Sequence, residues 1–172
     1  VTVFQHTWEK VLSGEKTQTR RLWKQYEILL RDYWTVEGGQ DRVIQASDPN
    51  ISTRTIWQVG KDYAIQPGRG KKSVGRFVVT ALRDHEDVRN ISDIDVRAEG
   101  FDSKWAFLQT WTAMRDPSAH WCFDAQRVDY WINTGKRREL VGWETVQEII
   151  AGRPVEHYKA WPITFKLCEV QR

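Results

Sequence analysis

The chain has 172 residues and a formal net charge of +3, a length that suits one domain with a real core. Its mildly basic balance, with a pI near 8.9, is compatible with nucleic acid without demanding it. Cys122 and Cys168 are too few and too far apart for a disulfide framework, no apolar run approaches a bilayer span, and no signal peptide opens the chain. The expectation is therefore a cytoplasmic protein with no membrane partner.

Phe4, Trp8, Val11 and Leu12 recur at helical spacing and predict an amphipathic helix, which Gly14 ends. The following Lys16-Thr-Gln-Thr-Arg-Arg21 alternates polar and β-branched types and should leave as a strand or an extended loop. In regular extension Thr17, Thr19 and Arg21 share one face while Lys16 points to the other. Residues 24–58 mix aromatics with Gly38-Gly39 and Asp48-Pro49-Asn50, and read as an irregular excursion holding one short hairpin. Asp62–Gln66 predicts a strand entering a Pro67-Gly68 turn, and Val74–Leu82 a strand buried on both faces.

Ser92 should cap a helix in a capping-box-like pair with Asp95, with Gly100 as its stop. A second helix starts near Asp102 or Ser103 and buries Phe107, Leu108, Trp111 and Met114. A third is expected from Trp143 to Ala151, ended by Gly152 and Pro154. Trp161, Ile163, Phe165 and Leu167 alternate with Pro162, Thr164 and Lys166, as in a half-buried strand. The mixture is α+β. Ten tryptophans supply core area, stacking surfaces for bases, or both.

Cations and hydroxyls crowd the junction from Gly14 to Arg21, a composition that fits an anchor for a phosphate or polar base as well as a solvated turn. Arg69, Lys71, Lys72 and Arg76 form a basic run without an acid among them, and Lys136-Arg137-Arg138 forms another. Each reads as a solvated face or as a phosphate contact. Gly68-Arg-Gly-Lys-Lys-Ser73 lacks the spacing of a nucleotide-hydrolysing loop. His120, Cys122, His157 and Cys168 match no common zinc spacing, so neither a metal nor another cofactor is expected.

The pattern Gly14-x-Lys16-x-x-Thr19-x-Arg21 resembles the signature of the ASCH domain, a member of the PUA-like superfamily. Ser73–Arg83 resembles the central strand of that family, Ile91–Phe101 its acidic helix ending in Glu-Gly-Phe, and Trp161–Phe165 its last strand. The resemblance implies a small PUA-like mixed β-barrel with helices around it, as a single domain over 1–172. It also marks residues 24–58 and 115–159 as additions to the compact family pattern.

In motif the chain is similar to bacterial acetylcytidine amidohydrolases, and the resemblance carries their working residues onto Lys16, Thr19 and Glu99. Thr19 would be the nucleophile, Lys16 its base, and Glu99 the acid that protonates the leaving amine. Arg20 and Arg21 supply cations that disfavour the charge on Lys16. Glu99 stands at a helix C-terminus, where the macrodipole disfavours a carboxylate, as a general acid requires. Thr17, Arg20, Arg21, Arg69, Lys71, Lys72 and Arg76 are the candidate ligand contacts. The leading expectation is binding of RNA or a nucleobase-containing ligand, with DNA as an alternative partner. A metal-independent amidohydrolase of acylated cytidine or a related modified nucleoside is the alternative, and a protein-interaction module is the third reading.

Overall fold

From its N-terminus the protein forms strand β1 (Thr2–Val3), helix α1 (Trp8–Leu12) and strand β2 (Gln18–Leu22). Next come β3 (Glu27–Leu30), β4 (Arg42–Ala46), β5 (Thr53–Gln58), β6 (Asp62–Gln66), β7 (Gly75–Leu82) and β8 (Glu86–Asp87). Helices α2 (Asp93–Ala98) and α3 (Lys104–Arg115) follow, then β9 (Ala119–Asp124), β10 (Arg127–Asn133), β11 (Arg138–Val141) and β12 (Lys159–Val170). The computed structural model describes residues 2–4, 7–31, 40–46, 53–115, 119–124, 127–133, 138–141, 148 and 150–170. Among them no helix is long and apolar enough to cross a membrane.

The long β12 organises the fold. It pairs with β7 over Ile163–Val170, with β2 over Ala160–Thr164 and with β8 over Lys159–Ala160, all antiparallel. The sheet continues from β7 to β6, and β1 adds to β6 in parallel. Register shifts in the β7 pairing after Thr164 and Leu167 bend β12, and the sheet curls strongly into a half-barrel. The fold is thus mixed α+β. Two further antiparallel sheets, β3-β4-β5 and β9-β10-β11, stand in the regions read as additions. The first of them replaces the single short hairpin expected over residues 24–58.

Because side chains alternate along a strand, β12 and β2 each face two cores. Trp161, Ile163 and Phe165 join Phe4, Val11, Val43, Trp57, Ile65, Phe77, Val79 and Leu82 in one cluster. Ala160 joins Val88, Ile91, Val96, Phe107, Trp111, Ile150 and Tyr158 in the other, where α2 and α3 pack.

The local signals act largely as their chemistry suggests. Gly14 takes φ +80° just past α1, but Phe4 extends β1, donating its amide to the Gln66 carbonyl at 2.8 Å. It reaches the core from there and not from the helix. The Ser92 hydroxyl accepts the Asp95 amide at 3.2 Å and starts α2. Gly100, at φ +83°, closes α2 with a Schellman pair: its amide reaches Arg97 O at 2.8 Å and that of Phe101 reaches Val96 O at 3.1 Å. On α3, Phe107 and Trp111 are buried, whereas Met114 is 52% exposed at the end of the helix, contrary to expectation. Of the helix expected over Trp143–Ala151, Glu148, Ile150 and Ala151 are helical, and the rest lies outside the described residues.

Candidate functional site

Lys16 lies in the two-residue link between Glu15 and β2 that is fastened on three sides. The Lys16 amide donates to Lys10 O, the Thr17 amide to Ala98 O, and Thr17 O accepts from the Phe165 amide, each at 2.9 Å. These bonds fix the link between α1, α2 and β12. They aim the Lys16 side chain at the C-terminal end of α2, where it is buried at 3% exposure.

There its ammonium donates to both the carbonyl and the carboxylate Oε2 of Glu99, at 2.6 Å each. Glu99 is itself 3% exposed and is the C-cap of α2. A cation suits this position, because the last helical carbonyls lack intrahelical donors. Lys10 does the same for the next carbonyl, reaching Gly100 O at 2.7 Å. Burial pushes the Lys16 ammonium below its ordinary range. The Glu99 charge and hydrogen bond oppose that shift, while Arg21 and Arg20 add smaller repulsions in the same direction as burial.

Arg20 enters the same cluster from β2. Its NH1 group donates to Glu99 Oε1 at 3.2 Å and to Gln18 Oε1 at 2.9 Å. Its Nε reaches Glu86 at 2.6 Å, and NH2 lies 2.5 Å from Glu86 and 3.1 Å from Asp95. Arg83 meets the same Asp95 oxygen at 3.0 Å. Burial opposes the charge on Asp95, but the Arg83 hydrogen bond, the charges of Arg20 and Arg83 and the Ser92 hydroxyl together hold its carboxyl below the usual range. Lys16, Arg20 and Arg83 thus stand against Glu86, Asp95 and Glu99.

Strand alternation divides the other expected site residues. Gln18 and Arg20 pair with Thr164 and Pro162 and face α2, whereas Thr19 and Arg21 pair with Ile163 and Trp161. Ile163 and Trp161 belong to the first core cluster, so Thr19, buried at 5%, stands on the opposite face of β2 from Arg20 and Glu99. Arg21 lies on that face too, its guanidinium 5.4 Å from the Phe4 ring centre. Thr17 is exposed. Lys16 and Glu99 are brought together; Thr19 is across the strand from them.

Arg69, Lys71 and Lys72 are exposed on the turn from β6 to β7. That turn lies beyond the Gly75–Val170 pairing, whereas the Lys16 link meets β12 at Phe165, through Thr17 O. Arg76 is tied to Asp62. Lys136 and Arg137 lie outside the described residues, and Arg138 is in β11. His157 and Cys168 are exposed, the side chains of His120 and Cys122 lie outside the described set, and no described group of three His, Cys, Asp or Glu could hold a metal ion.

A shallow pocket of about 240 Å³ opens beside the buried pair, lined by Lys10, Glu15, Arg97, Gly100, Phe101 and Asp102. Gly100 separates it from Lys16: a Cβ there would sit 3.3 Å from the Lys16 Cβ. Gln18, Arg83, Glu86 and Asp95 were not singled out by the motif. The two-residue spacing of Lys16, Gln18 and Arg20 is the signal that a polar face of β2 existed; their acid partners come from elements distant in sequence.

No family model matches the chain, and no curated protein does. Among solved structures, the crystal structure of protein EF3133 from Enterococcus faecalis, described under the family model DUF984, is similar to it at 12% identity. The match covers 97% of this chain and 72% of that one, with a TM-score of 0.46.

Proposed function

We propose that this chain is an ASCH-type protein of PUA-like architecture that binds a nucleobase-containing ligand or RNA where Lys16 meets Glu99. The observation that carries the reading is the state of the Lys16 ammonium. It has three donors; two are spent on Glu99, and the third has no acceptor among the described residues. A buried ion pair contributes little net stability against an apolar replacement of equal volume, so stability alone is a weak reason to place one here. A donor beside a carboxylate matches the donor–acceptor edge of a base, and the exposed Arg69, Lys71 and Lys72 supply phosphate contacts further along an RNA strand.

Calorimetric titration with cytidine, N4-acetylcytidine and a single-stranded RNA tests this. Wild type should bind at least one, and Lys16→Met should lose most of that affinity. Equal affinity in the two proteins would remove Lys16 from the site.

One observation favours amide hydrolysis as a second reading: a lysine whose charge burial disfavours, hydrogen-bonded to a carboxylate, can exchange a proton with it during a reaction. With Thr19 on the other face of β2, a water held by the pair is the better-placed nucleophile. It would lose a proton to the pair as its oxygen attacks the acyl carbon, and the pair would return that proton to the amine as the C–N bond breaks. Release of acetate from N4-acetylcytidine that persists in Thr19→Val and vanishes in Lys16→Met would support it. No release in wild type would leave binding alone.

A further inference from the structure

We infer that Arg20 is a positioning residue, whose guanidinium holds the Glu99 carboxylate against Lys16 with every nitrogen engaged by a protein acceptor. The inference rests on the proposed ligand reading only for what Lys16 and Glu99 then meet; the clamp itself is a matter of geometry.

A guanidinium carries five N–H donors in a fixed planar fork. In Arg20 the Nε donor goes to Glu86, one NH2 donor to Asp95, and the two NH1 donors to Gln18 and Glu99, while NH2 also lies 2.5 Å from the Glu86 oxygen that Nε holds. The side chain is 0% exposed. A phosphate or base edge could reach it only by displacing one of these acceptors and leaving a buried carboxylate or amide short of a partner. Lys16, four residues earlier, has a donor with no acceptor among the described residues. On the proposed reading the two cations divide the work: the fork orients, and the ammonium, buried behind Gly100, meets the ligand.

The geometry also sets how the orientation is transmitted. Glu99 Oε1 takes the Arg20 bond while Oε2 takes Lys16, so the carboxylate cannot turn without breaking one of them. Gln18 braces the fork by accepting from NH1, and its own amide reaches Thr164 Oγ1 at 3.4 Å. Asp95 ties NH2 to Arg83 at the rim. A lysine at position 20 would keep the charge but could not fill this planar arrangement.

Titration of Lys16, read by NMR of 13Cε-labelled lysine, measures the clamp directly. Arg20→Lys removes the fork and Arg20→Met removes the cation as well. In both, Glu99 is left to Lys16 alone, so the Lys16 midpoint should move upward, further in Arg20→Met because a repelling charge is also gone. Cytidine affinity should fall at least tenfold in both. A folded Arg20→Lys with the wild-type midpoint and affinity overturns the inference, since a merely structural cation would be replaced by lysine without effect on either.

Hydrogen exchange of the Arg20 guanidinium in wild type needs no variant and no ligand. Its N–H signals should be strongly protected, and exchange as fast as that of exposed arginines would equally overturn the clamp. If wild type binds neither cytidine nor RNA, the proposed function falls, while the Lys16 titration and the exchange measurement still decide the role of Arg20.

Discussion

Two groups of cations in this molecule have nearly the same composition and opposite circumstances. Lys16 and Arg20 are buried, and the carboxylates Glu86, Asp95 and Glu99 beside them are each held by at least one of the cations Lys16, Arg20 and Arg83. Arg69, Lys71 and Lys72 project from the turn between β6 and β7, exposed to solvent. In the first group geometry decides what each cation can do, because desolvation makes any unpaired charge costly. In the second, only the summed field matters, and salt screens it. Sequence treats them alike, as basic residues near glycine. Burial separates them.

The sharpest break of this contrast is Glu99→Ala. It leaves Lys16 without its carboxylate and Arg20 with one donor unfilled, so unfolding free energy should fall by about 3–5 kcal/mol. Urea unfolding should show the loss as a lower midpoint at unchanged slope. A loss below about 1 kcal/mol would put the pair in the class of exposed ion pairs.

Lys16→Met should cost less, about 1–3 kcal/mol, since Glu99 then keeps Arg20 and loses only one of its hydrogen-bonded partners. The order of the two variants is the point of the comparison. Were Lys16→Met the more damaging, Arg20 would not be holding Glu99.

The pH dependence has a defined sign. Lys16 titrates below its ordinary 10.5 in the folded protein. Between that lowered value and 10.5 the unfolded chain binds more protons, so the stability of wild type relative to Lys16→Met should rise with pH across that window. Each unit of lowering corresponds to about 1.4 kcal/mol. Asp95 acts at the other end. Its carboxyl lies below the ordinary 3.8, so its contribution is present above that value and is lost as pH falls through the folded one. Urea midpoints collected from about pH 8 to 11 check the first effect; a wild-type advantage that shrinks over that range would contradict the lowered Lys16.

Much of the frame was legible because it is written locally. Ser92 and Gly100 marked the ends of α2 through capping chemistry, and Asp62–Gln66 and Val74–Leu82 read as strands, though the second, observed over Gly75–Leu82, is fully buried on one face and not on the two expected. The sheet of β3, β4 and β5 was not. Its strands carry Glu27, Arg42, Gln45, Arg54 and Gln58 among their apolar residues, which blurs alternation, and pairing across long connections leaves no local signal.

At the site, Lys16 meets Glu99 across a sequence separation of 83, so the pair was visible only through a motif. Strand alternation, by contrast, already separated Lys16 from Thr19 in regular extension. The structure keeps that separation: Lys16 is turned toward α2 from a non-strand link, and Thr19 faces the first core.

The smallest stability effect belongs to the exposed turn, and it tests the other half of the contrast. Replacing Lys71 and Lys72 together by alanine removes two exposed charges, a change that should stay within about 0.5 kcal/mol of wild-type stability per site. On the proposed reading the same variant should weaken single-stranded RNA binding for all sequences alike. It should also flatten the dependence of log affinity on log salt by about 0.7 for each phosphate that the variant no longer neutralises. The mechanism is counterion release, which counts charges and ignores their arrangement, so Lys71→Arg with Lys72→Arg should restore the slope. Cytidine affinity should not move in either variant, because neither Lys71 nor Lys72 is among the hydrogen-bond or ion-pair partners of Lys16 and Glu99. A salt slope untouched by the alanine pair would take the turn out of the interface and leave the buried cluster as the whole of the site.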